Sequence, residues 1–140
     1  MGIGLACAEA FAKAGYITVL ADIKEPRSQI ESLVAQGYKA VFYGCDVSNT
    51  RTVKEMIEWI AATYGHLDAA LNNAGIQTPQ RPMAEITDDE FDRTVAVDLK
   101  GVWNCMRYEI LQMLRQGGGA IVNNAYHSVR LVQMVRGMGK

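Results

Sequence analysis

The stretch Leu71-Asn72-Asn73-Ala74-Gly75 decides the fold, because it stands where a strand ends and the backbone has to turn. Residues 67–71 are predicted as a short buried strand, and the residues after it are amides or very small. Asn and Gly tolerate the positive φ that a sharp turn can require. A flat ligand can therefore lie against the main chain here, although the same residues also fit an ordinary Asn-Gly-type turn.

Strand-like and helix-like patterns alternate on both sides of this stretch. Strands are predicted at residues 17–21, 40–43, 67–71 and 120–123, and helices at residues 3–14, 26–36, 49–64 (capped by Ser48 or Asn49) and 88–115. This alternation predicts an α/β fold with a parallel sheet covered on both faces. Residues 125–140 have no clean period and are predicted to be an irregular tail.

Length and composition narrow the classes of function. The 140 residues suit one domain, and the net charge of -1 gives no attraction to nucleic acid or to an anionic membrane. No apolar run approaches the ~18 residues of a membrane span, and no signal-peptide pattern opens the chain, so we expect a cytoplasmic protein. Cys7, Cys45 and Cys105 are scattered without CxxC or His pairing, which predicts free thiols and no metal site.

Candidate ligand-binding residues follow the predicted strands. Gly2-Ile3-Gly4 opens the first helix, where free N–H groups bind phosphate. Asp22 ends the next strand 18 residues after Gly4, as the acid that binds ribose hydroxyls does in dinucleotide folds; a solvated strand-end charge is the alternative. Asp46-Val47 and residues 73–75 end the following strands. All lie on the carboxyl edge of the sheet, where open α/β sheets bind ligands.

Together with Val97-Asp98-Leu99-Lys100-Gly101 and Gly119-Ala120-Ile121-Val122-Asn123, these pieces resemble the short-chain dehydrogenase/reductase family over residues 1–125. The resemblance implies a Rossmann-like doubly wound parallel sheet. It also implies an NAD(P)-dependent oxidoreductase, in which hydride passes between the nicotinamide and an alcohol or carbonyl substrate.

The resemblance assigns ten residues to the cofactor. Gly2, Ile3 and Gly4 would be the tail of the pyrophosphate site, and Asp22 and Ile23 would hold the adenosine ribose. Asp46 and Val47 would flank adenine, and Asn73, Ala74 and Gly75 would line the cofactor. A carboxylate at Asp22 would repel a 2′-phosphate, so NAD is expected in preference to NADP, although Lys24 nearby weakens that preference.

The chain departs from the family at the catalytic residues, which are Asn, Ser, Tyr and Lys. Asp98 occupies the Asn position, and a carboxylate only accepts hydrogen bonds. The Ser position falls on Tyr126, or on Ser128 after a two-residue shift, and an ordinary loop serine is the alternative. No Tyr-x-x-x-Lys spacing exists. Asp98 and Ser128 are therefore the catalytic candidates, and the chain as given is expected to be inactive alone.

The resemblance also implies that the sheet is incomplete. In the family order 3-2-1-4-5, a strand that precedes the glycine motif lies in the middle of the sheet, and the catalytic part follows residue 125. We thus expect residues 1–140 to be one partial dinucleotide-binding domain. Unpaired buried amides cost ~1–3 kcal/mol each against a stability of ~5–15 kcal/mol, so the chain is expected to fold poorly alone. A cooperative urea transition would contradict this.

Partners and alternative functions complete the expectations. The helix at residues 88–115 carries more apolar surface than one sheet face needs, and in the family its equivalent builds subunit interfaces, so an intact relative is expected to be a homo-oligomer. The leading hypothesis is the enzyme. The alternatives are a dinucleotide-binding remnant without chemistry, and the product of a truncated gene. His66 and His127 are interpreted as surface histidines, without an identifiable partner.

Overall fold

The structure is a computed structural model that describes residues 2–124. The candidate Ser128, together with Tyr126, His127 and the whole predicted tail at residues 125–140, lies outside the described residues.

Helices and strands alternate in the predicted order. Along the chain they are α1 (Ile3–Lys13), β1 (Thr18–Asp22), α2 (Arg27–Ala35), β2 (Ala40–Gly44), α3 (Thr50–Tyr64), β3 (Ala69–Asn72), a 3-10 turn (Met83–Glu85), α4 (Asp88–Thr94), a π-helical segment (Val95–Gly101), α5 (Val102–Gln116) and β4 (Ala120–Asn123). The predicted strands 17–21 and 67–71 begin and end one or two residues later, so that Asp22 and Asn72 close β1 and β3.

Local chemistry sets the helix ends. The Asn49 side chain accepts a hydrogen bond from the Arg51 N–H, so Asn49 rather than Ser48 caps α3. Gly65 caps the carboxyl end of α3 and Gly117 that of α5, with φ of 88° and 92°, a left-handed conformation that favours glycine. Helix α4 starts with a capping box between Thr87 and Glu90.

The capping box gives a direct stability prediction. Thr87→Ala is expected to lower the free energy of unfolding by about 1 kcal/mol, because the Glu90 N–H loses its side-chain acceptor. Urea denaturation followed by tryptophan fluorescence measures the change. Thr87→Ser keeps the hydroxyl and is expected to stay within a few tenths of a kcal/mol of the wild-type chain; an equal loss in both variants would contradict the capping explanation.

The strands form two parallel pairs. Strand β1 pairs with β2, from Thr18 opposite Ala40 onwards, and β3 pairs with β4, from Ala69 opposite Ala120 onwards. Within residues 2–124 the two pairs share no backbone ladder, so β1 and β3 each have one edge without a strand partner. The predicted incomplete parallel sheet is confirmed, and its interruption lies between β1 and β3.

Helices cover both faces of the strands. On one face, α1 and α2 pack on the sheet through a cluster of Ala12, Leu33 and Ala40, with Leu20 against it. On the other face, α3 and α5 form the larger cluster, with Val19 and Tyr43 packed against it; its buried members are Cys45, Val53, Met56, Ile57, Ile60 and Cys105. Because neighbouring residues of β1 face opposite clusters, the doubly wound arrangement follows from strand alternation.

The predicted helix over residues 88–115 is confirmed in extent, but its middle is π-helical. Residues Val95–Gly101 form a π-helical segment between α4 and α5. Gly101 faces the loop after β2 there: an added Cβ would lie 2.7 Å from Val47 Cγ2. The wider π-helical turn accommodates two tertiary contacts: the close approach of Gly101 to Val47, and the hydrogen bond that Asp98 accepts from the Ile76 N–H. Helical periodicity in the sequence encodes neither contact.

Candidate cofactor site

One cleft of about 890 Å³ runs along β1 and β3, and at the carboxyl ends of these strands it reaches the loop after β2. Nine of the ten predicted cofactor residues line it; they are Gly2, Gly4, Asp22, Ile23, Asp46, Val47, Asn73, Ala74 and Gly75. The tenth, Ile3, is 55% exposed and does not line the cleft. The structure thus brings together side chains and backbone from four separate segments, as expected for strand ends on one edge of a parallel sheet.

The first turn of α1 lies against the end of β3. A Cβ on Gly4 would come within 2.6 Å of Asn73 Nδ2, so the close approach requires glycine. Asn73 is held in turn, because its Oδ1 accepts a hydrogen bond of 2.7 Å from Asn124 Nδ2. No side chain of residues 2–124 caps α1 at Gly2. The first N–H groups of α1 are therefore free to bind an anion at the cleft.

The two acidic residues have different surroundings. Asp22 is exposed, and its Oδ1 accepts a hydrogen bond of 3.2 Å from the Lys24 N–H. Asp46 Oδ1 accepts from both the N–H and the hydroxyl of Ser48, at 2.9 and 2.7 Å. One carboxylate oxygen of Asp46 is thus used to shape the turn after β2, whereas Asp22 keeps most of its hydrogen-bonding capacity for a ligand.

Asn104 fixes the loop after β2, a role that was not predicted from the sequence. This side chain is fully buried. It donates from Nδ2 to the Val47 carbonyl at 2.8 Å, and its Oδ1 accepts from the Thr50 hydroxyl at 3.0 Å. Asn104 therefore joins α5 to the start of α3 and to Val47 at the cleft. The available signal was an amide inside an apolar helical stripe.

Asp98 holds the loop after β3 to the π-helical segment. Its Oδ1 accepts a hydrogen bond of 2.8 Å from the Ile76 N–H, and it lies 3.6 Å from the position of a Cβ on Gly75. Acceptance of an N–H is a role that a carboxylate performs as well as an amide oxygen. Within residues 2–124, Asp98 thus ties the π-helical segment to the backbone at Ile76 and lies beside Gly75.

A second buried polar group, Glu109, was not predicted from the sequence either. Glu109 of α5 is only 3% exposed and lines the cleft. Asn72 donates from Nδ2 to Glu109 Oε2 at 3.0 Å and to Asn123 Oδ1 at 2.9 Å. Burial raises the pKa of the Glu109 carboxyl, and the hydrogen bond from Asn72 opposes that rise only in part. The network connects α5 with β3 and β4.

Two further polar contacts involve the loops before and after β3. Arg81, in the loop after β3, pairs with Glu90, whose pKa is lowered chiefly by the hydrogen bond from the Thr87 backbone. His66 Nε2 lies 3.0 Å from Asp68 Oδ2, so the expectation that His66 has no partner is wrong, although both side chains are more than half exposed. In the described part of the chain, no group of His, Cys, Asp and Glu could hold a metal ion.

Comparisons with known proteins agree on one family. The family model described as enoyl-(acyl carrier protein) reductase matches residues 1–139. A 2,5-dichloro-2,5-cyclohexadiene-1,4-diol dehydrogenase of Sphingobium indicum is 34% identical over 125 residues, which are 89% of this chain and 50% of the relative. A 3beta-hydroxysteroid dehydrogenase of Mediterraneibacter gnavus is 36% identical over 124 residues, 87% of this chain and 45% of the relative.

The solved structures agree. A metagenomic short-chain oxidoreductase in complex with NADP superposes with a TM-score of 0.84 at 28% identity, over 91% of this chain and 59% of that one. The chain spans about half the length of the curated relatives it matches. Among residues 2–124, no helix is long and apolar enough to cross a membrane. Strand order, cleft and sequence together establish that the chain belongs to the short-chain dehydrogenase/reductase family.

Proposed function

We propose that the cleft binds a nicotinamide dinucleotide, and that the protein serves an oxidoreductase that moves hydride between this cofactor and an alcohol or carbonyl substrate. The observation that carries the proposal is the meeting of nine predicted cofactor residues in one cleft. The fit is supported by chemistry at two points: the uncapped start of α1 beside Gly4, and the exposed carboxylate of Asp22.

Each group of residues has a distinct task in this proposal. The first N–H groups of α1 bind the pyrophosphate, and Gly4 keeps the backbone close to it. Asp22 accepts hydrogen bonds from the ribose hydroxyls, and Ile23 packs beside the ribose. Asp46 and Val47 flank the adenine, while residues 73–75 line the cofactor. The cofactor itself supplies the hydride chemistry.

We propose NAD rather than NADP as the cofactor, and this is tested by mutation. Asp22 repels a 2′-phosphate, so the wild-type chain is expected to bind NADH at least about tenfold more tightly than NADPH, which corresponds to about 1.4 kcal/mol. Asp22→Ser is expected to remove most of that ratio. Isothermal titration calorimetry with both cofactors measures it.

The matched control for this test is Glu25→Gln. Glu25 is an acid three residues away that pairs with Arg27 and does not line the cleft. This variant is expected to keep the wild-type ratio of the two affinities. Equal affinity of the wild-type chain for NADH and NADPH would contradict the preference, and no binding of either at millimolar concentration would contradict the cofactor site itself.

Residues on the substrate side are proposed by resemblance. Asp98 and Ser128 stand at or near the family's Asn and Ser positions, and the hydrogen bond from Ile76 to Asp98 supports a positioning role for Asp98. The carboxylate of Asp98 at the family's Asn position favours a second candidate function, dinucleotide binding without chemistry. Binding of NADH without turnover of any alcohol or ketone distinguishes this candidate from an active enzyme.

The assembly and its location are also proposed. Five large apolar side chains of the π-helical segment and α5 are exposed: Leu99, Trp103, Ile110, Leu111 and Leu114. They support a homo-oligomer that covers this stripe. Sedimentation velocity measures the oligomeric state. A chain that stays monomeric at about 0.1 mM, a concentration at which an ordinary weak dimer forms, would contradict the proposal. The three free cysteines support a reducing compartment, the cytoplasm.

A further inference from the structure

Arg93 is the single Lys or Arg among residues 2–124 that lines the cleft. Within those residues its guanidinium makes no ion pair and no hydrogen bond. Most other arginines are engaged: Arg107 lies over two aromatic rings, and three pair with glutamate side chains, namely Arg27, Arg51 and Arg81. The guanidinium of Arg93 is therefore available to a ligand in the cleft.

The direction of the helical region places Arg93 at the mouth of the cleft. Gln116, at the end of α5, donates to the Leu67 carbonyl just before β3 begins. Glu109, two turns earlier in α5, accepts from Asn72 at the end of β3. The helical region thus runs antiparallel to the strand. Arg93 precedes Glu109 by about four turns, so it lies beyond the carboxyl ends of the strands.

The side of the helical region that carries Arg93 faces the loop after β2. The next residues that line the cleft from this side are Ala96, Val97 and Gly101. A Cβ on Gly101 would come within 2.7 Å of Val47 Cγ2, so this side closely approaches the loop. At the rise of an α-helix, Arg93 lies at most about 12 Å further along the axis than Gly101. Arg93 therefore borders the outer end of the slot between Val47 and the helical region.

This slot suits a flat aromatic ring. Val47, Ala96 and Val97 present uncharged carbon atoms to the faces of such a ring. Asp98 is turned elsewhere, because it accepts from the Ile76 N–H and does not line the cleft. A guanidinium is planar and weakly hydrated, so it stacks readily on an aromatic face. A phosphate, in contrast, finds its donors at the start of α1.

We propose that Arg93 determines how tightly the adenine ring of the cofactor is held: its guanidinium stacks on the ring at the mouth of the cleft and shields it from water. This role rests on the proposed function, in which Val47 flanks the adenine. Arg93 is not among the ten cofactor residues predicted from the sequence, because a single arginine within a helix carries no positional signal.

The first test compares the 140-residue chain with its Arg93→Ala variant, by isothermal titration calorimetry with NADH and with ADP. Both ligands carry the adenine, so loss of the guanidinium is expected to weaken both by the same factor, about threefold to tenfold. The matched control is Arg115→Ala, which removes an exposed arginine that does not line the cleft, and it is expected to change neither affinity. Weakening of NADH alone would place Arg93 at the nicotinamide half and overturn the proposal.

Arg93→Lys separates stacking from charge. Lysine keeps the positive charge and lacks the planar group, so this variant is expected to bind ADP as weakly as Arg93→Ala does, within about twofold. Recovery of the wild-type affinity would indicate a contact with phosphate and contradict the stacking role. With ADP bound to the wild-type chain, nuclear Overhauser effects are expected between the adenine ring protons and the Arg93 side chain, and their absence would also contradict it.

The role of Arg93 and the cofactor site can fail separately. Binding of NADH and ADP with equal affinity by the wild-type chain and Arg93→Ala would overturn the role of Arg93 and leave the cofactor site in place. Absence of binding by the wild-type chain at millimolar concentration would overturn the cofactor site, and the role of Arg93 with it. Because Arg93 is exposed and unpaired, its variants are expected to keep the wild-type urea midpoint. Loss of stability together with affinity would assign Arg93 a structural role and contradict the proposal.

Discussion

Asn104→Ala is expected to lower the free energy of unfolding by about 2–4 kcal/mol. This is the largest effect that we predict for any single substitution. The amide is fully buried and makes hydrogen bonds to Val47 and Thr50, which are more than 50 residues away in sequence. Its removal leaves the Val47 carbonyl and the Thr50 hydroxyl without this partner. It also leaves a small cavity between α5 and α3.

Urea denaturation and near-UV circular dichroism measure this effect. The free energy of unfolding of a whole domain is only ~5–15 kcal/mol, and the interruption of the sheet between β1 and β3 lowers it further. We therefore expect the variant to lose much of its native near-UV signal. Lys54→Ala is the control: it breaks an exposed ion pair with Glu58 and should cost no more than about 0.5 kcal/mol. Similar losses in the two variants would show that Asn104 does not hold the loop.

Glu109→Gln is expected to stabilise the chain at neutral pH and to have no such advantage in acid. Burial raises the pKa of the Glu109 carboxyl above its unfolded value, so the native state holds this proton more tightly than the unfolded state does. Its contribution to stability is therefore complete below about pH 4.3, the unfolded pKa, and is lost as the pH rises through the native pKa. Glutamine keeps an acceptor for Asn72 and has no charge to bury.

The measurement is the difference in free energy of unfolding between Glu109→Gln and the wild-type chain, at several values from pH 4 to pH 8. This difference is expected to increase with pH and then to level off. Glu90→Gln is the matched control with the opposite sign, because the pKa of Glu90 is lowered and its charged form stabilises the native state. That variant is expected to lose stability as the pH rises. A flat difference for Glu109 would contradict the assignment.

Much of the candidate site could be predicted because its residues are marked locally. Asp22, Asp46 and the Asn73–Gly75 turn each follow a strand, and parallel topology alone brings such positions to one edge. The glycine at the start of the first helix was likewise visible in the sequence, and in the structure Gly4 lies close to Asn73. The alternation of strands and helices also sufficed for the fold class, and the resemblance located the interruption of the sheet.

The remaining features depend on contacts between distant segments. Asn104, and the pair of Asn72 and Glu109, are polar residues within apolar stripes, and only their partners 37 or more residues away explain them. The π-helical segment has the same origin, because it forms where Val47 and Ile76 approach the helix. No periodicity encodes such contacts, so the sequence predicted the helix but not its π-helical middle.

The most direct test of the central claim, that these strand ends form one dinucleotide site, is a titration of the isotope-labelled 140-residue chain with NADH, followed by two-dimensional NMR of the backbone amides. The site predicts chemical-shift changes concentrated at Gly4, Asp22, Val47 and Gly75, with little change at Gly15 and Gly65 at the opposite end of the strands. Changes confined to Gly15 and Gly65, or no changes at millimolar NADH, would contradict it.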